Sequence, residues 1–106
     1  VTFAKLAQKG QSPPGRIDGC GVVDPLGRRF FVFGGSDVDG SIQDAYVLDL
    51  DHDQAKWRPL TSSSSFAGIP ARARCSAVYD AARARILVGF GSDGESESNA
   101  IIAVDL

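Results

Sequence analysis

The side chains best suited to chemistry in this sequence are arginines and Ser-Asp pairs that recur in one frame. Arg16 returns as Arg72, and Ser36-Asp37 returns as Ser92-Asp93, each 56 residues later. A guanidinium group can hold a carboxylate through two parallel hydrogen bonds. Serine and aspartate side chains add further donors and acceptors. These types and spacings indicate a binding site for an acidic group, built around two copies of one sequence unit.

The 56-residue repeat extends well beyond those side chains. It keeps eleven identities in a single frame, without a gap, between Pro14 and Leu50. The centre of the first copy is residues 28–37, an apolar run closed by Gly34-Gly35, and the centre of the second copy is residues 83–93. Self-similarity near this length indicates a repeat architecture, in which neighbouring units bury each other's apolar faces.

Strand-like segments follow one another in each copy. The pattern predicts strands at residues 17–23, 29–33, 45–50 and 57–60 of the first copy, and at 74–79, 85–89 and 100–106 of the second. Residues 29–33 are apolar after the first position, as in a strand covered on both faces. Pro59 favours an edge position for the fourth strand. Four short strands joined by turns are the plan of one propeller blade.

The second copy has no fourth strand of its own, and the other end of the chain offers a candidate. Phe3 and Leu6 have the spacing of Trp57 and Leu60. We therefore predict an all-β chain of two four-stranded blades, in a larger or subunit-assembled propeller. Its parts are an outer strand at residues 1–6, the first repeat at 14–60 and the second repeat at 70–106.

The whole chain resembles two kelch repeats. The first copy has the family's pattern in order: Pro14-x-Arg16, the apolar run to Gly34-Gly35, Tyr46 and Trp57. The second is degenerate, with Phe90-Gly91 for the glycine pair, Ile102 for the tyrosine and no tryptophan. The resemblance implies a β-propeller of kelch type, whose complete members have several blades. It also implies that partners bind the face that carries the longer loops.

Alternating strand directions place the longer loops on one face and the tight turns on the other. The longer loops are residues 7–15, 36–43, 61–71 and 92–99, and loops on a rigid scaffold are where binding residues concentrate. The alternative is that Arg16 and Arg72 bind loop carbonyls or pair with Asp18 and the Ser-Asp loops, because polar groups there need internal partners. The candidate ligand-binding residues on this face are Arg16, Asp18, Ser36, Asp37, Arg72, Arg74, Ser92 and Asp93.

Charge and composition exclude several classes of partner. A net charge of −2 and a pI near 5.2 do not favour nucleic acid or anionic lipid. No apolar stretch approaches the roughly 20 residues that span a bilayer. The acidic turns at 37–41 and 49–53 lack the glycine and glutamate of a twelve-residue calcium loop. His52 is the only histidine and no catalytic motif occurs, so we predict a non-enzymatic protein without metal or cofactor.

Two cysteines leave the redox state and the compartment open. Cys20 and Cys75 lie one register apart on equivalent strands, so one disulfide is an option. Buried free thiols are the favoured interpretation, because free cysteine is among the most buried residue types. The compartment is cytoplasmic or extracellular, and composition does not choose between them.

Two blades alone leave apolar faces and strand edges in water, which favours association. The 106 residues are therefore expected to be a segment of a longer propeller or a subunit of a homo-oligomeric ring. We predict a binding module for a protein or peptide partner, with acidic peptides as one class. The alternatives are a lectin-like ring that binds carbohydrate with Phe66, and a fragment of a propeller enzyme whose catalytic residues lie elsewhere.

Overall fold

The computed structural model describes residues 2–51, 55–60 and 71–106, and this part of the chain is all-β apart from one short 3₁₀ turn at Ala81–Arg83. The strands are, in chain order, β1 (Gln8–Gly10), β2 (Cys20–Asp24), β3 (Arg29–Phe33), β4 (Ser36–Asp37), β5 (Gly40–Ser41), β6 (Ala45–Asp49), β7 (Ala55–Pro59), β8 (Ser76–Asp80), β9 (Arg85–Gly89) and β10 (Ile101–Asp105). No helix in these described ranges is long and apolar enough to cross a membrane.

The first sheet has the order β1-β7-β6-β3-β2, in which β2, β3, β6 and β7 form an antiparallel meander. A buried aspartate closes its first hairpin: Asp24 accepts hydrogen bonds from the Leu26 and Gly27 amides and pairs with Arg29 at 2.6 Å. Burial alone would raise the pKa of Asp24, but the bonds from Gly27 and Arg29 outweigh it and hold the pKa below its usual value. The turn is therefore held by a charged carboxylate at neutral pH.

The second sheet, with the order β10-β9-β8, repeats the first at the level of single hydrogen-bonded pairs. Cys20 pairs with Phe33 in the first sheet, and the residues 56 positions later, Ser76 and Gly89, pair in the second. The Asp24–Arg29 ion pair likewise returns as Asp80–Arg85 at 2.9 Å. The predicted repeat is thus present in the backbone, and the predicted strands agree with the observed ones apart from their ends.

The two sheets pack face to face over one apolar core. Phe31 and Val47 from the first sheet meet Ile86, Val88 and Val104 from the second. Tyr79 of β8 lies close to the Asp24 carboxylate of the first sheet. Its burial and that carboxylate raise the pKa of Tyr79.

A disulfide joins the sheets where their innermost strands begin. Cys20 and Cys75 are bonded, and their Cα atoms lie 5.7 Å apart, a separation typical of disulfides. The preference for two free buried thiols was therefore wrong. The reason is tertiary: Cys75 precedes β8 by one residue, and the packing of the two sheets sets it beside Cys20 at the start of β2.

A second apolar cluster lies on the other face of the first sheet. It contains Tyr46, Leu48, Ala55 and Trp57, and the Trp57 indole N–H donates to Gln8 Oε1 at 2.6 Å. Apolar side chains on both faces explain why the strand sequence at 30–33 is continuously apolar. The aromatic residues of this sheet thus pack within the fold.

The backbones of the two sheets approach each other most closely at the glycine pair. The Gly35 amide donates to the Arg72 carbonyl at 2.7 Å, and a β-carbon on Gly34 would overlap that same oxygen. Gly34 also has φ +57, which glycine adopts without a steric penalty. The equivalent position in the second repeat is Phe90, with φ +63 and a side chain 53% exposed. The glycine pair is therefore required by the close approach of the two sheets, and not by the end of the strand alone.

The N-terminal segment differs from its prediction. Residues 2–7 form no strand, and Phe3 and Leu6 are exposed. The strand at this end is β1, which pairs in parallel with β7 on the first sheet and not with the second. The predicted outer strand at 1–6 is wrong for the part that the structure describes, because the strand at this end begins only at Gln8 and pairs with β7 of the first sheet. Pro59 lies beyond the part of β7 that β1 covers, where β7 is an edge.

We expect the disulfide to supply a large part of the stability of the described fold. Replacing both Cys20 and Cys75 by alanine should lower the free energy of unfolding by roughly 2–4 kcal/mol, because the bridge closes a loop across 55 positions. Denaturant unfolding of the oxidised protein and of the double variant measures the difference. Reductant should destabilise the wild type and leave the variant unchanged. Equal stability of wild type and variant would contradict this role.

Gly34→Ala should destabilise the protein by about 2–4 kcal/mol, because the added β-carbon combines a positive φ with overlap of the Arg72 carbonyl. Phe90→Ala is the matched control, because a β-carbon already occupies this equivalent position. Its effect should stay within about 0.5 kcal/mol. Thermal or denaturant unfolding separates the two. A Gly34→Ala variant as stable as the control would show that the sheets do not approach this closely.

Candidate functional site

The loop ends of the two sheets enclose a polar cleft of about 330 Å³. Both repeats contribute to it, and it opens on the face that carries the longer loops. Four of the eight predicted site residues line it. The lining residues are Asp18, Ser36, Gly40, Ser41, Ala73, Arg74, Ser92 and Gly94.

Two matching backbone bridges position the serines of the cleft. Ile17 and Ser36 exchange hydrogen bonds of 3.0 and 2.8 Å, and Ala73 and Ser92 exchange two of 2.9 Å. Each bridge joins a residue three positions before the start of an innermost strand to the residue that follows the glycine pair or its counterpart. The serines of the two Ser-Asp pairs are thereby brought to equivalent places on the two sheets.

Asp18 and Arg74 occupy the same position in the two repeats and meet across the cleft. Both have a left-handed backbone, with φ +57 and +58. The Arg74 amide donates to the Asp18 carbonyl at 2.8 Å, and Arg74 Nε donates to Asp18 Oδ2 at 3.2 Å. The Arg74 side chain is 79% exposed, so this ion pair contributes at most about 1 kcal/mol. A ligand can therefore replace either partner at little cost.

The hydroxyl groups around this pair are only partly engaged within the protein. Ser41 Oγ lies 3.5 Å from the Ser92 carbonyl, a long hydrogen bond, and Ser92 Oγ accepts from the Gly94 amide at 3.0 Å. A serine hydroxyl can both donate and accept. The cleft thus offers one guanidinium, one carboxylate and several hydroxyls, a set that suits a peptide backbone with polar side chains.

The aspartates of the two Ser-Asp pairs shape their own loops. Asp37 Oδ1 accepts from the Asp39 amide at 2.8 Å, inside the turn between β4 and β5. Asp93 Oδ1 accepts from the Glu95 and Ser96 amides, both at 2.9 Å. The bonds from Ser96 and Glu95 lower the pKa of Asp93, and the charge of Arg72 adds to this. Neither aspartate lines the main cleft, although the sequence predicted both as ligand residues.

Arg16 is held inside the protein. Its side chain is 8% exposed and forms a two-pronged ion pair with Asp44, with Nη2 to Oδ2 at 3.0 Å. It also donates to the Gly34 carbonyl at 2.8 Å and to the Pro14 carbonyl at 3.2 Å. The hydrogen bond that Arg16 donates to Asp44 raises the pKa of Arg16. The interpretation that Arg16 binds loop carbonyls is confirmed, and we leave Arg16 out of the site.

Arg72, the counterpart of Arg16, donates Nη1 to the Phe90 carbonyl at 3.3 Å, so it too binds a loop carbonyl. It lines a second, smaller cavity together with Asp93. The eight candidate residues are thus divided by the tertiary structure among the cleft, this smaller cavity, a buried ion pair and a loop turn.

Several sequence predictions fall outside the described residues. These are His52, Phe66 and the loop 61–71 except for Ala71. Within the described ranges, the structure holds no cluster of three or more histidine, cysteine or acidic side chains that could bind a metal ion.

Sequence reasoning missed Asp44 and Ser41. Asp44 is the partner of Arg16, and Ser41 lines the cleft. Both lie in the stretch where the two copies share no identities, between Asp37 and Asp49. The available signal was that Asp44 and Ser41 differ from the residues at the same positions of the second copy. A side chain that is present in only one copy does not belong to the scaffold that the two copies share.

Comparison with known proteins adds no relative: no family model and no curated protein sequence matches the chain.

Asp44→Ala should lower the free energy of unfolding by about 2–4 kcal/mol, because it leaves the buried Arg16 guanidinium without its carboxylate. Arg58→Ala removes one partner of the exposed Arg58–Asp49 pair and should cost less than about 1 kcal/mol. Denaturant unfolding of both variants measures the difference. Similar small effects for the two would mean that Arg16 is available to a ligand after all.

Proposed function

We propose that this chain is part of a kelch-type β-propeller and acts as a non-enzymatic binding module that holds a peptide or protein in its loop-face cleft. The observation that carries the proposal is the cleft itself. It gathers Asp18 and Ser36 from the first repeat and Arg74 and Ser92 from the second. Side chains scattered over 75 positions of sequence are thus presented together, on the face where the kelch resemblance places partner binding.

The way in which the sheets stack supports the propeller part of the proposal. The first sheet contacts the second through the face that contains Val22, Phe31 and Val47. The register-equivalent face of the second sheet points away from the first, and there Val78 is 57% exposed. Together with Leu87 and Ile101 it borders an apolar groove. Head-to-tail stacking of this kind continues until a ring closes or other elements cover the open face.

Phe90 restricts what can cover that open face. In the junction between the two described sheets, Gly34 leaves room for the Arg72 carbonyl. Phe90 occupies the equivalent position of the second sheet, so another sheet cannot approach it equally closely. We therefore propose that the next sheet, from a second copy of the chain or from the remainder of the same propeller, is set back from the second sheet at this point.

The chemistry of the cleft favours a peptide that carries acidic side chains. Arg74 can exchange Asp18 for a ligand carboxylate because their ion pair is exposed. The surrounding serine hydroxyls can bond to peptide N–H and C=O groups. The carbohydrate alternative depended on Phe66, which lies outside the described residues, and the enzyme alternative depended on residues elsewhere. We therefore propose neither of them.

A displayed library of random peptides, selected against the full chain, tests the proposal. Selected acidic peptides should bind Arg74→Ala roughly tenfold more weakly, a loss of about 1.4 kcal/mol. They should bind Asp18→Asn more tightly, because that change removes the competing carboxylate. Arg28→Ala is the matched control, since the exposed Arg28–Asp51 pair lies among the tight turns of the opposite face.

Isothermal titration with each selected peptide gives the affinities. Peptides that lose affinity equally with Arg28→Ala and Arg74→Ala, or with neither, would overturn the proposal. So would a selection that yields no binder above background.

A further inference from the structure

The two equivalent arginines, Arg16 and Arg72, differ in whether a carboxylate of the described chain is hydrogen-bonded to them. Arg16 binds the carboxylate of Asp44 with two prongs. The residue 56 positions after Asp44 is Ala100, which has no carboxylate. Among the described residues, Arg72 makes one side-chain hydrogen bond, to the Phe90 carbonyl. The second repeat therefore has the guanidinium of this junction without the acid that completes it.

The remaining parts of the junction are retained in the second repeat. Arg16 donates to the Gly34 carbonyl, and Arg72 donates to Phe90, the equivalent residue. The Gly34 amide donates to the Asp44 carbonyl at 3.1 Å, and the Phe90 amide donates to the Ala100 carbonyl at 3.3 Å. The Ala100 backbone thus occupies the place of the Asp44 backbone, without the carboxylate side chain that would reach the arginine.

A cavity of about 170 Å³ lies beside Arg72. Arg72 is the only cationic side chain in its lining. The volume of the cavity suits one small acidic side chain or a chain terminus. The lining residues are Ala71, Arg72, Asp93, Ser96, Glu97 and Ser98.

We propose that Arg72 is a carboxylate-binding subsite, where a ligand carboxylate takes the place on the guanidinium that Asp44 takes on Arg16. The guanidinium nitrogens that bind no other described residue supply two parallel charge-assisted hydrogen bonds. The hydroxyls of Ser96 and Ser98 lie in the same cavity and can bond to the group that carries the acid. The Arg16–Asp44 pair of the first repeat is the template for the geometry of the bound carboxylate.

The neighbouring acids select the kind of ligand. Asp93 and Glu97 line the same cavity, and two amide donors already hold Asp93 in its charged form. Their negative charges repel a second acid placed close to the first. The subsite therefore takes an isolated carboxylate, from an Asp or Glu side chain or from a peptide C-terminus, in preference to a run of acids.

This subsite goes beyond the cleft proposed above, since the linings of the two cavities share no residue. Changes at Arg74 and Asp18 test the cleft, and changes at Ala100 test Arg72. Failure of one therefore does not entail failure of the other.

Ala100 offers a direct test, because Ala100→Asp should supply the missing carboxylate from within the chain. The probe is a blocked peptide, acetyl-Gly-Asp-Gly-amide, titrated into the ¹⁵N-labelled full chain while the Arg72 Nε–H signal is followed by NMR. In the wild type we expect a saturable shift with a dissociation constant near the millimolar range. Ala100→Asp should move the Arg72 signal before any probe is added and weaken probe binding at least tenfold.

Ala100→Asn is the matched control, since it adds a side chain of the same size without the charge and should keep probe binding within about threefold of the wild type. The probe acetyl-Gly-Asn-Gly-amide should give no saturable shift. Acetyl-Gly-Asn-Gly with a free C-terminus separates the two carboxylate sources: a shift comparable to that of the Asp probe assigns the subsite to chain termini as well, and its absence restricts it to acidic side chains.

Binding of the Asp probe to Ala100→Asp as tightly as to the wild type would overturn the proposal. An equal shift of the Arg72 signal with the Asn and Asp amides would overturn it as well. Ala100 is exposed, so these variants are expected to fold, and the dispersion of the remaining amide signals checks this in the same spectra.

Discussion

The arrangement of the molecule depends on how closely the second sheet approaches the first at Gly34 and Gly35. There the Arg72 carbonyl accepts a hydrogen bond from one glycine and occupies the space that a β-carbon on the other would need. This contact sets the chain that leads into β8. It therefore places Arg74 beside Asp18, and it leaves Cys75 within bonding distance of Cys20. The cleft on the loop face follows from this one backbone approach.

The two repeats share a scaffold and differ in what it carries. The ion pair Asp24–Arg29, which braces the first hairpin, has its counterpart in the second repeat, because both hairpins need the same turn. The half-buried acid Asp44 has no counterpart. In the first repeat the arginine thus pairs with a carboxylate of the same repeat, and in the second repeat the arginine lies at the surface. We propose that a ligand is recognised at positions where the two repeats differ and which the scaffold does not require.

Much of the scaffold could be predicted from the sequence. The strands and the 56-residue register follow from local patterns of apolar residues and turn residues. The same pattern produces the same strands in both copies. The N-terminal strand was predicted wrongly, because the matching spacing of Phe3 and Leu6 does not determine which strand this segment pairs with, and the observed partner is β7 of the first sheet. Arg16 was misassigned for another reason. Its partner Asp44 is 28 positions away, and no local pattern connects the two.

By itself the sequence determined that the chain is built from a repeated β unit, and it determined which residues stand at equivalent places. Hydrogen-bonding pattern and side-chain alternation are local properties, so they can be recognised along the chain. Only the tertiary structure decided which of two equivalent arginines pairs with a carboxylate of the described chain, and that two cysteines one register apart are bonded. Those outcomes depend on the offset at which one sheet packs on the other, which is set by contacts between segments far apart in sequence.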